Sequence, residues 1–352
     1  MLFRPSSVEI AVFVVGWASG WLALRGTRTF RSRAVARTTT VSVVIPARNE
    51  ATTIGALVGS VVASMHDGDE VIVVDDGSRD ATADRARAAG ARVVRIDSVP
   101  AGWAGKPHAC WHGAVVARGD VLVFVDADVS LARGVIDSLC SEAVANPAAL
   151  VSVMPWHRTG SFVERASMLF NVVSSSVART ARGRTARHVA FGPLLATTRA
   201  AYHGSGGHRA ASVRGAVIED IALAGCYEHT MPFVGCRGEV EYRMYPLGWK
   251  QLLEGWTKNT ALGGLAAPWV VTLLVVAWVT SLAGGWLTSP WFYLASVVQV
   301  AVMSRRVGNY RIVDAVVYPL YVAVFVAIVV RSVWRSVVIG RVTWRGRSIT
   351  VR

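Results

Sequence analysis

The first apolar run, Val8 to Leu24, is broken by one charge, Glu9, and is followed by Arg25, Arg28, Arg31, Arg33 and Arg37. It is just long enough to cross a bilayer, and the basic flank assigns its carboxyl end to the cytoplasm. A cleaved signal would carry its positive charge before the apolar run rather than after it, so a retained anchor with an outside amino terminus is expected. Three more apolar runs close the chain: Ala261 to Trp286, Trp291 to Met303 and Ile312 to Val330. The middle one is short for a crossing and reads as a span, an interfacial helix or half of a hairpin. Counted as a span, it sends the tail with Arg331, Arg335, Arg341, Arg345, Arg347 and Arg352 outside; the positive-inside tendency prefers that tail inside. The pattern leaves both open. Asp314, inside the last run, is expected near the interface or paired with a neighbouring helix.

Between Thr40 and about Tyr245 the pattern changes to short apolar runs alternating with helical spacing. Val41–Ile45 predicts a strand ending at Pro46-Ala47-Arg48-Asn49-Glu50, and Ala51–Met65 a helix with Ile54, Leu57, Val58, Val61 and Val62 on one side. Glu70–Val74 predicts a second strand ending in Asp75-Asp76-Gly77-Ser78, Asp80–Ala89 a helix, Val93–Ile96 a third strand and Ala109–Arg118 a helix. Val121–Val125 is a fully apolar strand that runs into Asp126-Ala127-Asp128. Repetition of strand, polar turn and helix predicts a mainly parallel sheet whose ligands gather at the carboxyl ends of its strands. No repeat of solenoid period and no low-complexity linker interrupts it.

Composition sharpens this picture. Of 352 residues, 53% are apolar, and the mean hydropathy of +0.41 is too high for an ordinary soluble enzyme. The net charge of +14 comes mostly from arginine. Such a balance suits nucleic acid, an anionic membrane surface or a phosphorylated substrate, and the apolar ends favour the membrane. Cys110, Cys140, Cys226 and Cys236 have neither zinc-site spacing nor a disulfide framework, which fits a reducing compartment.

Glycine-rich phosphate loops are absent after the strands, so a nucleotide would be held by other means. If the Asp126–Asp128 segment is extended, both carboxylates share one face and can approach one divalent cation on a diphosphate. Asp75 or Asp76 could accept hydrogen bonds from a base or ribose, or could simply start a turn. Glu50 has the same ambiguity as a helix-start acid. The loop Gly102-Trp103-Ala104-Gly105-Lys106 presents a lysine as counter-charge for a diphosphate. His108 and His112 have no acid in metal-site spacing. Glu219-Asp220 interrupts an apolar run that continues as a helix; Asp220 at a helix start is expected to have a depressed pKa and to serve as a base.

Pro46-Ala47-Arg48-Asn49-Glu50, Asp75-Asp76-Gly77-Ser78, the Lys106 loop, Asp126-Ala127-Asp128 and Glu219-Asp220 occur in the order and rough spacing of a family 2 glycosyltransferase with the GT-A fold, which the chain resembles over about Val41 to Asn259. The Lys106 loop and Glu254-Gly255-Trp256-Thr257-Lys258-Asn259 further resemble the membrane-bound branch that glycosylates carotenoid or hopanoid-type lipids. The resemblance implies an α/β, Rossmann-like, mainly parallel sheet. It implies that Pro46, Ala47, Glu50 and Asp75 or Asp76 hold uridine, that Lys106 contacts the nucleotide, and that Asp126 and Asp128 hold ribose and a Mg²⁺ or Mn²⁺ ion. Asp220, beside Glu219, would be the general base of an inverting transfer, with Gly192 and Trp256 on the acceptor side. Leu252-Leu253-Glu254-Gly255-Trp256 lacks the arginine of the Gln-x-x-Arg-Trp motif of processive relatives, which argues for a single transfer.

The expected organisation is therefore an anchor at 1–24, a basic juxtamembrane linker at 25–39, a cytosolic catalytic domain at 40–259, transmembrane or interfacial helices at 260–338 and a basic tail at 339–352. The expected activity is transfer of one sugar from a nucleotide-sugar, a UDP-sugar by resemblance, to a membrane lipid, without nucleic acid as a partner. Transfer to a polyprenyl phosphate, or a non-catalytic membrane scaffold retaining the fold, are the alternatives.

Overall fold

The computed structural model describes residues 4–178, 189–216, 218–263, 267–344 and 347–350. The elements follow the chain as α1 (Ser7–Leu24), β1 (Val41–Ala47), α2 (Ile54–Val62), β2 (Glu70–Asp76), α3 (Thr82–Ala88), β3 (Arg92–Ile96), α4 (Gly105–Val116), β4 (Val121–Val125), β5 (Val129–Leu131), α5 (Val135–Ala145), β6 (Ala149–Met154) and β7 (Trp156–His157). They continue as α6 (Phe162–Arg165), α7 (Met168–Val177), β8 (Leu194–Thr198), α8 (Arg199–Gly204), α9 (Glu219–Ala224), β9 (His229–Val234), β10 (Val240–Tyr242), α10 (Trp249–Gly263), α11 (Trp269–Thr288), α12 (Pro290–Arg305), α13 (Ile312–Val316) and α14 (Tyr318–Trp334), with a terminal hairpin of β11 (Arg341–Trp344) and β12 (Arg347–Thr350). Two compact units result: a sheet unit of Arg28–Trp156 with Gly183–Tyr242, and a helical unit of Met1–Thr27, His157–Arg182 and Arg243–Arg352.

The sheet unit holds seven strands in the order β3-β2-β1-β4-β8-β6-β9. β1 pairs in parallel with β2 and β4, and β2 with β3. β8 runs antiparallel to both β4 and β6, and β6 is parallel to β9. Every residue of β4 is buried, as its unbroken apolar run requires for a strand covered on both faces. One face packs Val44, Ile72, Val74, Leu122 and Phe124 against Ala109, Cys110 and Ala114 of α4. Gly113 permits that contact, because a Cβ there would lie 2.3 Å from Val44 Cγ1. The helix therefore lies flush on the sheet, and its amino end comes to the carboxyl ends of the strands.

The segment between α1 and β1, expected as a linker, is a strap pinned to this unit. Thr29 forms a parallel bridge with Val234, Phe30 N–H donates to the Val234 carbonyl at 2.8 Å, and the Phe30 side chain is buried against Phe233. Arg37 is also buried; its guanidinium grips Asp69 and donates through Nε to Asp137 Oδ1 at 2.6 Å. The strap covers the edge of β9, where an open strand would otherwise offer unpaired amides and carbonyls.

In the helical unit, three of the described helices are long and apolar enough to cross a membrane: Ser7–Leu24, Trp269–Thr288 and Tyr318–Ile339. α1 and α11 pack antiparallel through small residues. Going from Phe13 to Gly20 along α1 retreats along α11 from Gly285 to Trp278, and a Cβ at Gly16 or Gly20 would lie 2.5 Å from Ser281 or 2.6 Å from Trp278. Close backbone approach through glycines four apart is the packing by which helices associate where lipid would supply no hydrophobic drive. α12 folds back on α11, with Trp278 Nε1 donating to Gln299 Oε1 at 2.8 Å.

The start of α14 then lies beside the end of α11. Trp286, Pro290 and Tyr293 line one groove with Val316, Val317, Pro319 and Leu320, and Tyr293 Oη donates to the Val316 carbonyl at 2.7 Å. Its far end meets α10, where Ser332 Oγ donates to the Thr257 carbonyl at 2.9 Å. α14 thus runs against α11, and its basic exit lies at the same end of the bundle as the exit of α1. Asp314 is buried and paired: Tyr321 Oη donates to it at 3.0 Å, Arg311 N–H at 2.7 Å, and Arg165 Nε stands 3.8 Å away.

α6, α7 and most of α10 also pack in this unit, although their positions fall within the 40–259 expected for the catalytic domain. The reason is apolar surface on short helices: Phe170 of α7 stacks on Trp256 at 4.5 Å and meets Phe325 of α14 at 4.6 Å.

Candidate active site

β1, β2 and β4 end side by side. Pro46 and Ala47 register with Val74 and Asp75, which sets the main chain of Pro46-Ala47 next to the second strand's acids. Asp75 is fully buried. Its Oδ1 accepts from Ser78 N–H at 3.0 Å, holding the turn that Gly77 makes with φ +64°, whereas Oδ2 has no hydrogen-bond partner and lies 3.9 Å from Arg95 Nη1. Asp76 lies 3.3 Å from Arg48 Nη1, and Gly105 comes so close that a Cβ there would lie 2.6 Å from Asp76 Oδ2. The neighbouring turn carries Asn49 at φ 55°, held by Arg79 N–H donating to its Oδ1 at 2.9 Å. Glu50 opens α2: its carbonyl accepts from Thr53 and Ile54 N–H, and Thr53 Oγ1 lies 3.3 Å from its carboxylate.

The glycine-framed lysine is not on a loop. α4 begins at Gly105, four residues before the expected Ala109, so Lys106 is in its first turn. Pro107 is tolerated there because the first-turn amides have no intrahelical partner to lose. Lys106 Nζ lies 2.7 Å from Asp126 Oδ1 and 2.8 Å from Glu219 Oε1, and donates to the Gly192 carbonyl at 3.4 Å. Burial alone would lower its pKa, but Asp126 and Glu219 outweigh that and raise it well above the usual value. The lysine is charged and spans from the end of β4 to the start of α9.

Asp126 and Asp128 sit in a turn rather than an extended segment, closed by Val129 N–H donating to the Asp126 carbonyl at 3.1 Å. The expected shared strand face is therefore replaced by a reversal between β4 and β5. Asp126 is half-buried, while Asp128 opens to solvent on one side. The protein around Asp128, then Asp126 and Glu50, raise its pKa. Among the described residues no three His, Cys, Asp or Glu side chains form a metal cluster. The donor set fits an ion such as Mg²⁺, which takes one or two carboxylates and completes its shell with water and substrate phosphates.

Asp220 Oδ2 accepts from Gly192 N–H at 2.7 Å and Oδ1 from Ile221 N–H at 3.0 Å. Gly192 suits this place because a Cβ would stand 3.1 Å from the carboxylate. Contrary to the helix-dipole expectation, burial and then Glu219 raise the Asp220 pKa, outweighing Lys106 and the two amides. The helix has six residues, and its aligned dipoles are too few to win. A raised pKa brings a carboxylate nearer the operating pH of a general base.

The structure thus brings Lys106, Asp126, Gly192, Glu219 and Asp220 together. Trp256 lies in the helical unit, its ring stacked on Phe170 and its Nε1 donating to Ser167 Oγ at 2.9 Å. His108 and His112 face each other, Nε2 to Nε2 at 3.1 Å. The Lys106–Glu219 pair escaped the sequence reading, because nothing local links a helix start to an acid more than a hundred residues later.

Residues 42–203 match the family described as glycosyl transferase family 2. The chain is 35% identical over 336 residues to the 4,4'-diaponeurosporenoate glycosyltransferase of Staphylococcus aureus strain USA300, covering 88% of each chain. The protein of the same name in strain MRSA252 is 34% identical over 335 residues, again with 88% of each chain covered. Among solved structures, a mannosyltransferase from Pyrobaculum calidifontis in complex with GDP-Man and Mn²⁺ superposes with a TM-score of 0.53 at 18% identity, covering 93% of this chain and 96% of that one. That last likeness is one of fold.

Proposed function

The chain belongs to glycosyltransferase family 2, and from that premise we propose that it moves one sugar from a UDP-sugar to an isoprenoid lipid at a membrane, inverting the anomeric carbon. The observation that carries this reading is the Asp126–Lys106–Glu219 bridge with Asp220 held beside it through Gly192. One side of that arrangement suits a leaving diphosphate and the other an attacking oxygen.

On the donor side, the unpartnered Oδ2 of Asp75 is a buried acceptor for a base N–H, and Pro46, Ala47, Glu50 and Asp76 frame the same strand ends. Lys106 supplies positive charge where a diphosphate leaves. A Mg²⁺ or Mn²⁺ ion held by Asp128, with Asp126 beside it, would supply further charge neutralisation on the diphosphate. On the acceptor side, Asp220 takes the proton from a hydroxyl as that oxygen attacks, and the Gly192 amide fixes which carboxylate oxygen stays engaged. A carboxyl acceptor, as the "-oate" in the relatives' name denotes for theirs, is already ionised and has no proton to give up. A hydroxyl acceptor needs a base where a carboxylate or a polyprenyl phosphate does not, and Asp220 held on the Gly192 amide suits that need.

The three candidate spans support a multi-pass membrane protein whose sheet unit faces the cytoplasm, where nucleotide-sugars would reach it. Membranes carrying the protein, incubated with a panel of labelled UDP- and GDP-sugars, should yield an isoprenoid lipid one sugar heavier by mass analysis, from a UDP-sugar and with added Mn²⁺ or Mg²⁺. A product only from GDP-sugars, or sugar found only on a lipid phosphate, would overturn the donor or acceptor assignment respectively.

A further inference from the structure

Lys106 and Asp220 both touch Gly192, the ammonium through the carbonyl at 3.4 Å and the carboxylate through the amide at 2.7 Å. A lysine and an aspartate this near would ordinarily form an ion pair, and such a pair would leave the base neutralised and poorly basic. Here the ion pairs of Lys106 go elsewhere, to Asp126 at 2.7 Å and Glu219 at 2.8 Å. Glu219 is mostly buried and sits immediately before Asp220, so the start of α9 sends one carboxylate to the lysine and the next to the Gly192 amide.

We propose that Glu219 is a positioning residue: it holds Lys106 against Asp126 on the donor side and so keeps the ammonium off Asp220. This rests on the reading of Asp220 as the base. Asp220 is faced by Glu219 on its own helix, by Lys106 from α4, and by the Gly192 and Ile221 amides. Removing the Glu219 charge takes away a carboxylate opposing proton loss and frees the lysine to pair with Asp220. Both changes act in the same direction, toward a more acidic and less basic Asp220.

The test is the pH profile of kcat/KM for the acceptor in the full-length membrane enzyme, for wild type, Glu219→Gln, Glu219→Asp and Asp220→Asn. Wild-type activity should rise with pH through an acid limb above about pH 4, the ordinary aspartate value. In Glu219→Gln that limb should move down by roughly one pH unit, and the plateau rate should fall about tenfold, while the acceptor KM stays put. Glu219→Asp keeps the charge, loses reach, and should fall between the two, which covers the case of a poorly folded glutamine variant. An unmoved acid limb in a folded Glu219→Gln protein, or a rate loss equal at every pH, would overturn the proposal and leave Glu219 merely structural. Wild-type rates retained in Asp220→Asn would instead overturn the base assignment beneath it.

Discussion

At the scale of single residues, the candidate site turns on where charge is held. Lys106, Asp126 and Glu219 form one bridge and Asp220 stands beside it, the arrangement on which the proposed division into donor-side and acceptor-side acids rests. Asp128 is the outlying acid, open to solvent and crowded by Asp126 and Glu50. As a metal ligand it has a distinct signature: Asp128→Ala should weaken UDP binding about tenfold or more with Mn²⁺ present and little in its absence. Titration calorimetry with and without chelator reads this directly, and equal weakening in both would remove the ligand role. The sequence named all these residues, because acids after an apolar strand and a lysine among glycines are local patterns. It could not say that burial would outweigh the helix dipole at Asp220, since burial depends on what packs there from Gly192 and Lys106.

At the scale of elements, legibility followed the strength of the hydrophobic period. β1 and β2 extend two residues beyond their apolar runs, β4 ends with its own, and α1 begins one residue before its own. α4 was misjudged at its start, since the Lys106-Pro107 step looked like a loop but fits a helix's first turn. The strap over 28–40 was invisible: its basic residues read as a linker, and the partners that pin it, among them Val234, Asp69, Asp137 and Glu239, are distant in sequence. The α1–α11 pair makes a sharp prediction. Gly20→Leu should force Trp278 away from its bond to Gln299 and destabilise the detergent-solubilised protein by about 1–3 kcal/mol. Gly284→Leu on the partner helix α11, where a Cβ meets nothing within 4 Å, should cost far less. Thermal unfolding of the two variants side by side distinguishes a packed helix pair from one that merely coexists in the membrane.

At the scale of the whole molecule, the apolar pattern left the orientation of the tail open, and the packing of the helical unit favours one of the alternatives. α14 starts beside the end of α11 and finishes against α10, so the arginines after α1 and those after α14 leave the bundle at one end. That agrees with the positive-inside tendency, and it needs the short α12 and the segment before α14 to make a return excursion rather than one clean crossing. Single cysteines in place of Gly26 and Val337, in a background free of Cys110, Cys140, Cys226 and Cys236, should react with an impermeant thiol reagent from the same side of sealed vesicles, and one in place of Thr288 from the other. Opposite labelling of 26 and 337 would refute this topology.

In the proposed function, Asp220 activates an oxygen of the acceptor against the bound donor. The most direct test is Asp220→Asn in the full-length protein, with sugar transfer and UDP affinity measured on the same preparation. Transfer should fall by roughly 10²–10⁴-fold with UDP affinity nearly unchanged. Undiminished transfer, or a loss of UDP affinity as large as the loss of rate, would contradict the account.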